Sequence, residues 1–391
     1  VKLLFVTGSL VHGGAERHTI TLANRLAERG HECHAAYVKN DPSQLERLRG
    51  AASVTCLHSE RYIDLGSVRQ LASLMARLRP TTVVAVNAYA MLYASLAQRW
   101  ADGGPARSST GGAPLVVTWH STLIQGLKEQ AKMLFYRPFF WSADCLVFVA
   151  EAQRRHWLAR MVSARRNEVI YNGVDTAHWE PFGAEERRRV RVALGFADDD
   201  YVIGLSAVLR PEKNHLQLVD AIAALRRRGV RARALMIGDG PMRGAVEERA
   251  RRLGVAADVA ITGFQQEVRP FVAACDTVAL TSFTEAFSLA GIEAMALGKP
   301  VVHSEVGGAA EMVRPGRNGF LYPVGDTGAL VERLATLADP AMRGRMGARA
   351  REAVEAQFSE AAMVDRYEKL LIELETTRTK HAHVRRTAGA H

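Results

Sequence analysis

The stretch TEAFSLAGIEAMALGKPVV (284–302) places two carboxylates, Glu285 and Glu293, around the start of a helix built from small residues. Ser288 is a good N-cap, Leu289 to Leu297 follow a helical pattern, Gly298 ends it, and Pro300 opens the next extended run. Ala290 and Gly291 are expected to leave the helix end uncovered, so that its free N–H groups and positive dipole end suit a phosphate. Carboxylates repel phosphate, so the two glutamates are better suited to accept hydrogen bonds from neutral hydroxyls on either side of it. Hydroxyl, diphosphate, hydroxyl is the outline of a nucleotide sugar. The same residues also read as an ordinary amphipathic helix, with Glu293 facing solvent and Glu285 complementing the dipole. Spacing alone does not choose between the two.

The elements that must position these groups alternate regularly. KLLFVTG (2–8), a glycine loop, the helix AERHTITLANRLAERG (15–30) and ECHAAYV (32–38) form a βαβ unit, because parallel strands require a crossover helix. TVVAVN (82–87), PLVVTWH (114–120) and CLVFVA (145–150) are further strands. The alternation restarts with YVIGLSAV (201–208), ARALMIG (232–238), DVAITG (258–263), TVALTS (277–282) and PVVHS (300–304). At 391 residues, with ~100–200 residues per domain, two domains are expected. The pattern predicts two doubly wound α/β sheets joined near Asn172–Pro181, with loops at the carboxyl ends of the strands facing a cleft between them. The domains are expected at 1–172 and 173–358, with a helix over 359–375 crossing back to the first and a disordered basic tail over 376–391. Residues 100–114, rich in Gly, Ser and Pro, are expected to form an exposed mobile loop.

Composition excludes several function classes. The four cysteines, Cys33, Cys56, Cys145 and Cys275, stand singly with no C-x-x-C pair, so neither a disulfide framework nor a zinc knuckle is suggested, and a reducing cytosol is the simplest compartment. The N-terminal apolar run is too short for a signal-peptide core, and no run of 18 apolar residues is present. The formal charge of +10 lies largely in helical stretches such as EERRRVR and EERARR, where arginines alternate with glutamates as on solvated faces. With no helix-turn-helix or aromatic-basic RNA motif, nucleic acid is not expected as a partner. DDD (198–200) reads as a surface turn, and no D-x-D-type metal pair stands in a suitable setting.

The E-x7-E pattern from Glu285 to Glu293, followed by EAMALGKPVV, occurs with GGAER (13–17), YNGVD (171–175), RPEKNH (210–215), GDGP (238–241) and GGAAEMVRPGRNGFLYPVGD (307–326). This ordered set resembles the retaining glycosyltransferases of family 4 (glycosyl transferases group 1), which have the GT-B fold. The resemblance implies an α/β architecture of two Rossmann-like domains facing a central cleft, an acceptor-binding N-terminal domain and a nucleotide-sugar-binding C-terminal one. It implies that Glu285 reaches the transferred sugar, that Glu293 binds the ribose, that backbone amides around Ser288 and Leu289 hold the diphosphate, and that Lys213 neutralises the leaving group. The family usually carries an arginine at the position of Val208. Here Arg210 stands immediately before the proline instead, and where it does not reach the diphosphate, Lys213 and the helix end carry more of the charge. Gly13 and Gly14 sit at a loop-to-helix junction where a diphosphate or acceptor can approach the backbone. Taken alone, the two glycines favour an ordinary tight βα turn. His120 resembles the family's cleft histidine, and Gly238 belongs to GDGP. Base recognition is expected around Phe264 and Gln265. The resemblance further implies transfer with retention and no metal or other cofactor.

IQGLKEQAKMLFYRPFFW (124–141) mixes Lys128, Lys132 and Arg137 with apolar and aromatic residues. It reads either as a segment lying on an anionic membrane, where a lipid-linked or lipopolysaccharide acceptor would be met, or as a core-facing helix broken at Pro138. The expected partners are a nucleotide-sugar donor, with UDP ahead of GDP, and a hydroxyl acceptor on a glycan, a lipid carrier or a small molecule. The expected location is the cytoplasm, including the inner membrane face. Competing readings are a non-catalytic partner subunit, a GT-B epimerase or phosphorylase, and a Rossmann oxidoreductase. The last needs G-x-G-x-x-G after the first strand, which GSLVHGGAER lacks.

Overall fold

The computed structural model describes residues 1–11, 13–101, 112–120 and 127–388. Most of the expected loop at 100–114 and the start of the 124–141 segment lie outside these residues. The strands, in chain order, are β1 (Lys2–Thr7), β2 (Glu32–Tyr37), β3 (Ser53–Cys56), β4 (Thr82–Val86), β5 (Leu115–Trp119), β6 (Cys145–Phe148), β7 (Arg166–Val169), β8 (Tyr201–Ser206), β9 (Ala232–Ile237), β10 (Val259–Ile261), β11 (Thr277–Leu280), β12 (Val301–Ser304) and β13 (Gly319–Tyr322). The helices of the first half are α1 (Gly14–Glu28), α2 (Leu65–Leu78), α3 (Asn87–Ala101), α4 (Leu127–Ser142) and α5 (Glu151–Leu158). Then come α6 (Ala184–Ala193), α7 (His215–Arg227), α8 (Arg243–Arg252), α9 (Arg269–Ala274), α10 (Leu289–Ala296), α11 (Ala309–Met312), α12 (Thr327–Thr336), α13 (Pro340–Gln357) and α14 (Glu360–Ala388). The chain divides into two compact units, Val1–Tyr171 with Met363 onward, and Asn172–Ala362.

In the first unit all strands are parallel in the order β3-β2-β1-β4-β5-β6-β7. Helices cover both faces of such a sheet, so central strands read as unbroken apolar runs. Leu3, Leu4, Phe5 and Val6 of β1 are all buried. Val68 and Leu71 of α2, Met91 and Tyr93 of α3, and Met133 and Phe140 of α4 pack on one face. Ile20, Leu22 and Leu26 of α1 pack on the other with Met363, Tyr367 and Leu371 of α14. Helix α4 runs through Pro138 without breaking; it buries Met133, Tyr136 and Phe140 and leaves Leu134, Phe135 and Trp141 exposed.

Ion pairs fix α14 in place. Arg29 meets Asp365 at 2.6 Å and Glu368 at 2.7 Å, and His31 Nε2 lies 2.7 Å from Glu368. Hydrogen bonds from His31 and Arg29 hold the Glu368 carboxyl below its ordinary pKa. The helix continues to Ala388, well past the expected end at 375, so the tail over 376–388 is helical rather than disordered. No glycine or proline interrupts α14 before Gly389, and propagation from a packed segment adds one bond per residue fixed.

The second unit repeats the plan with the parallel order β10-β9-β8-β11-β12-β13. Two expectations of a solvated surface fail here. Arg191, within EERRRVR, is 1% exposed; it meets Asp276 at 2.8 Å and donates to the carbonyls of Ala274, Asp198 and Asp200. Asp200, the last of the DDD turn, is also buried, with Arg233 at 3.0 Å and Arg231 at 3.3 Å. Burial raises its carboxyl pKa, but the Ala197 amide and these two arginines outweigh that and leave it lowered. A guanidinium can satisfy several carbonyls and a carboxylate at once, which makes Arg191 a tie between α6, α9 and the loop before β8.

Removing a single partner from a buried pair leaves an uncompensated charge. Arg191→Met is therefore expected to destabilise the protein by about 3–5 kcal/mol, read as a lower urea midpoint. An unchanged midpoint would show that Asp276 has solvent access. His18, His215 and His303 are buried. Burial is the main cause that lowers His215 and His303 to about 4 and His18 well below its ordinary value. These rings stay neutral in the folded state while the unfolded chain takes up protons below pH ~6.5. Stability is thus expected to fall as pH drops from ~6.5 toward 5, before carboxylates titrate, and His303→Asn is expected to make that slope of Tm against pH shallower.

Candidate active site

In the second unit the chain leaves β8 toward β9 on one side and returns to β11 on the other. The carboxyl ends of β8 and β11 are thus the topological switch point, where open parallel sheets present a crevice. The loop after β8 carries Arg210 and Lys213, and the loop after β11 carries Glu285. Thr281 Oγ1 donates to the carbonyls of Lys213 at 2.8 Å and Asn214 at 3.0 Å, and the Phe283 amide donates to Glu212 at 2.8 Å. These bonds bring Lys213 Nζ to 2.5 Å from Glu285 Oε2, with Ser282 Oγ 3.4 Å from the same oxygen. Glu285 is therefore the partner of Lys213, beyond any role as a dipole-complementing surface acid.

Glycines fix the backbone around this pair. A Cβ on Gly307, at φ +51°, would lie 1.9 Å from the Glu285 carbonyl oxygen, and the Gly308 amide donates to Ala286 at 2.8 Å. Gly238, at φ +142°, presses on Ala207 so closely that a Cβ would lie 2.2 Å from its carbonyl oxygen. GDGP thereby shapes the β8 loop. Asn172 Nδ2 donates to the Phe287 carbonyl at 3.3 Å, steadying the chain just before Ser288.

Ser288 caps α10 as expected, its Oγ accepting from the Gly291 amide at 3.1 Å. The Leu289 and Ala290 amides have no acceptor among the described residues, so the first turn presents two N–H groups. Gly291 has a different use from the one expected. A Cβ there would lie 2.7 Å from Met312 Sδ and 3.1 Å from Leu280, so its small size serves packing between α10 and α11. Glu293 is 5% exposed, which overturns the solvent-facing alternative. His303, near the end of β12, has Nδ1 2.7 Å from the Ser304 carbonyl. A carbonyl only accepts, so Nδ1 carries the proton of this neutral ring.

Arg210 is exposed and makes no ion pair among the described residues; its amide donates to Val208 at 2.8 Å. Phe264, 63% exposed, and Gln265, whose Nε2 donates to Thr262 at 2.9 Å, follow the edge strand β10. The structure thus brings Lys213, Glu285, Ser288, Leu289 and Glu293 onto two adjacent strand ends and one helix. Gly238 supports them from behind. Sequence reasoning missed Asn172 and His303 as site neighbours, and quoted Gly307 and Gly308 without a role.

The first unit holds Gly13, Gly14 and His120. Gly13 precedes α1 with extended backbone, and a Cβ on it would meet Glu16 Oε2 at 2.3 Å. His120 follows β5; its amide donates to Asn87 Oδ1 at 2.9 Å. Its ring centroid is 4.6 Å from that of His18, which lies 5.4 Å from Tyr367. Burial pulls His120 down to about 4, so it too is neutral near pH 7.

Residues 12–178 match the model of Glycosyltransferase Family 4, and residues 186–353 match that of Glycosyl transferases group 1. The lipopolysaccharide core biosynthesis glycosyltransferase LpsE of Rhizobium meliloti (strain 1021) is 28% identical over 368 residues, covering 92% of this chain and 96% of that one. The putative glycosyltransferase EpsD of Bacillus subtilis (strain 168) is 29% identical over 260 residues, covering 65% and 68%. Among solved structures, HepE of Anabaena in complex with UDP superposes with a TM-score of 0.83 at 24% identity, covering 95% of this chain and 100% of that one. With one family model over the first half, the other over the second, and the GT-B fold shared with its structural neighbours, the chain is a glycosyltransferase and belongs to family 4 (glycosyl transferases group 1).

Proposed function

We propose that the protein transfers a hexose-type sugar from a nucleotide diphosphate sugar, UDP-linked in preference to GDP-linked, to a hydroxyl of a glycan, lipid-linked or small-molecule acceptor. The observation that carries this reading is the Lys213–Glu285 pair beside the two free amides of α10. When the anomeric carbon–oxygen bond breaks, negative charge develops on the leaving diphosphate. Preorganised cations and dipoles aimed at that charge lower the barrier. Lys213 has three N–H donors, so it can hold Glu285 with one and a phosphate oxygen with another. The Leu289 and Ala290 amides add two donors at the positive end of the helix. Glu285 accepts a hydrogen bond from a hydroxyl of the transferred sugar, and Glu293 one from the ribose. Gly13 and Gly14 give the substrates access to backbone, Arg210 adds long-range positive charge, and Phe264 and Gln265 lie near the base.

Transfer is proposed to proceed with retention. The acceptor oxygen attacks on the face from which the diphosphate leaves, and its proton passes to a leaving phosphate oxygen. With Lys213 and the helix amides supplying the positive charge, no metal is needed. The UDP and UDP-glucose complexes of HepE support the donor class, and LpsE supports a saccharide acceptor. Among the described residues no helix is long and apolar enough to cross a membrane. Exposed Leu134, Phe135 and Trp141 on α4 support peripheral contact with an anionic membrane at the cytoplasmic face.

The test is a thermal-shift screen of UDP, GDP, ADP and their sugar conjugates, since a ligand that binds only the folded state raises Tm. UDP is expected to give the largest shift, undiminished by EDTA and lost in Glu293→Ala. A larger shift with GDP would reverse the donor assignment, and no shift with any nucleotide would remove it. Lys213→Ala is expected to lower kcat ~100-fold or more, the usual effect of deleting one donor to developing charge. Gly307→Ala is expected to lower turnover as well, because its Cβ would displace the Glu285 backbone; wild-type kinetics would show that the loop tolerates the shift.

A further inference from the structure

The first unit has its own topological switch point, between β1 and β4, and a cluster there has no part in the donor chemistry above. Tyr89, in the first turn of α3, lies against Gly8 just past β1, where an added Cβ would be 3.4 Å from Tyr89 Cδ1. Lys39, just past β2, donates its backbone amide to the Gly8 carbonyl at 2.9 Å and sets its Nζ 5.6 Å from the centroid of the Tyr89 ring. The Tyr62 ring lies 5.3 Å from Tyr89, and Tyr93 meets Tyr89 edge-on at 5.2 Å.

The base of this cluster is rigid. The Tyr93 hydroxyl pairs with Ser59 Oγ at 2.7 Å and accepts from the Asp64 amide at 3.0 Å, and Ser59 Oγ donates to the Arg61 carbonyl at 2.9 Å. The Tyr62 hydroxyl bonds that of Tyr136. Tyr62 is nevertheless 49% exposed, and Lys39 and Arg61 are exposed with no ion pair among the described residues. Of the nearby carboxylates, Asp64 caps α2, Asp41 accepts from Ser43, and Glu60 faces solvent. Asn87, two residues before Tyr89 and at φ +63°, holds the His120 amide, so this cluster and His120 share one anchored turn.

Tyrosine rings with open edges offer C–H-rich ring faces a surface while keeping hydroxyls for hydrogen bonds, and an unpaired ammonium beside them favours an anion. We propose that Tyr62, Tyr89 and Lys39 form a subsite for a pyranose that carries an anionic substituent, phosphate or carboxylate, as part of the acceptor. The assignment to the acceptor rests on the proposed glycosyl transfer; the subsite itself rests on the cluster.

The experiment is a binding titration of the full chain, saturated with UDP, against glucose 6-phosphate, glucuronate, glucose and inorganic phosphate, read by calorimetry and saturation-transfer NMR. The two anionic sugars are expected to bind, one more tightly according to whether phosphate or carboxylate is the natural group, with glucose and phosphate at least tenfold weaker. Lys39→Gln is expected to weaken the anionic sugars at least tenfold and leave glucose unchanged. Tyr62→Ala is expected to weaken all three sugars. Both positions are exposed or half-exposed, and an intact UDP thermal shift in each variant shows that the fold and donor site persist. Equal binding of glucose and the anionic sugars, or no effect of Lys39→Gln, would overturn the proposal. Loss of the UDP shift in the parent protein would instead overturn the donor reading, which separates the two failures.

Discussion

The candidate site depends on one short contact, the ion pair between Lys213 and Glu285 at 2.5 Å. Its energy is not what makes it important, since exposed and half-exposed pairs contribute about 0–1 kcal/mol. What matters is that two charges distant in sequence are fixed at one switch point by backbone bonds that leave the loops little freedom. Thr281 fastens the carbonyls of Lys213 and Asn214, and Phe283 fastens Glu212. The parallel order of β8 and β11 is what sets these loops side by side. A sheet wound in one direction only would place β9 and β10 between them.

Around that contact the chain uses glycine as a spacer. Gly307 and Gly238 have positive φ, and each lies where a Cβ would overlap a carbonyl of a loop that bears site residues. Gly319, at the start of β13, makes a close approach to a strand instead, where a Cβ would lie 2.2 Å from the carbonyl oxygen of Val301 in β12. The backbone freedom given up at such glycines is considerable. In exchange, segments far apart in sequence approach closely enough for a main-chain amide to reach the neighbouring loop. Asn172 achieves the same end with a side chain.

Local chemistry was legible in the sequence, and partners across space were not. Ser288 and Gly298 mark the ends of α10 because capping depends on residues within one turn. The apolar runs of β1, β4, β5 and β6 mark central parallel strands because both faces are buried. The edge strands β3, β7 and β13 were not anticipated: they are four residues each, and SVTC and RNEV carry no apolar run to mark them. Whether Glu293 faces solvent or protein depends on the orientation of α10, which helical periodicity in so apolar a segment does not set. Arg191 and Asp200 sit in charge runs that resemble solvated surface, and partners brought in from other elements make their burial tolerable, Asp276 and the Ala274 carbonyl for Arg191, Arg233 and Arg231 for Asp200. The length of α14 escaped for the opposite reason: polar composition suggested disorder, whereas the absence of any breaker before Gly389 lets a packed helix propagate.

The distribution of charge gives the ion pair its further meaning. Many of the arginines are matched locally on helix surfaces, as Arg243 is with Glu247 and Arg349 with Glu352, and add nothing to the excess of +10. Such pairs favour solubility and create no directed field at a site. At the switch point the balance is different, because Glu285 stands close to where the proposed reading places a diphosphate. A second anion beside that carboxylate is tolerable only if Lys213 and the α10 amides compensate both. The ammonium's three donors permit this without releasing Glu285, which stays aimed as an acceptor for a sugar hydroxyl. On this reading Lys213 and Glu285 act as one unit: removing the lysine also disorders the glutamate, and removing the glutamate leaves the lysine without its anchor. Groups coupled in this way give effects that do not add, so the loss on removing both falls short of the sum of the separate losses.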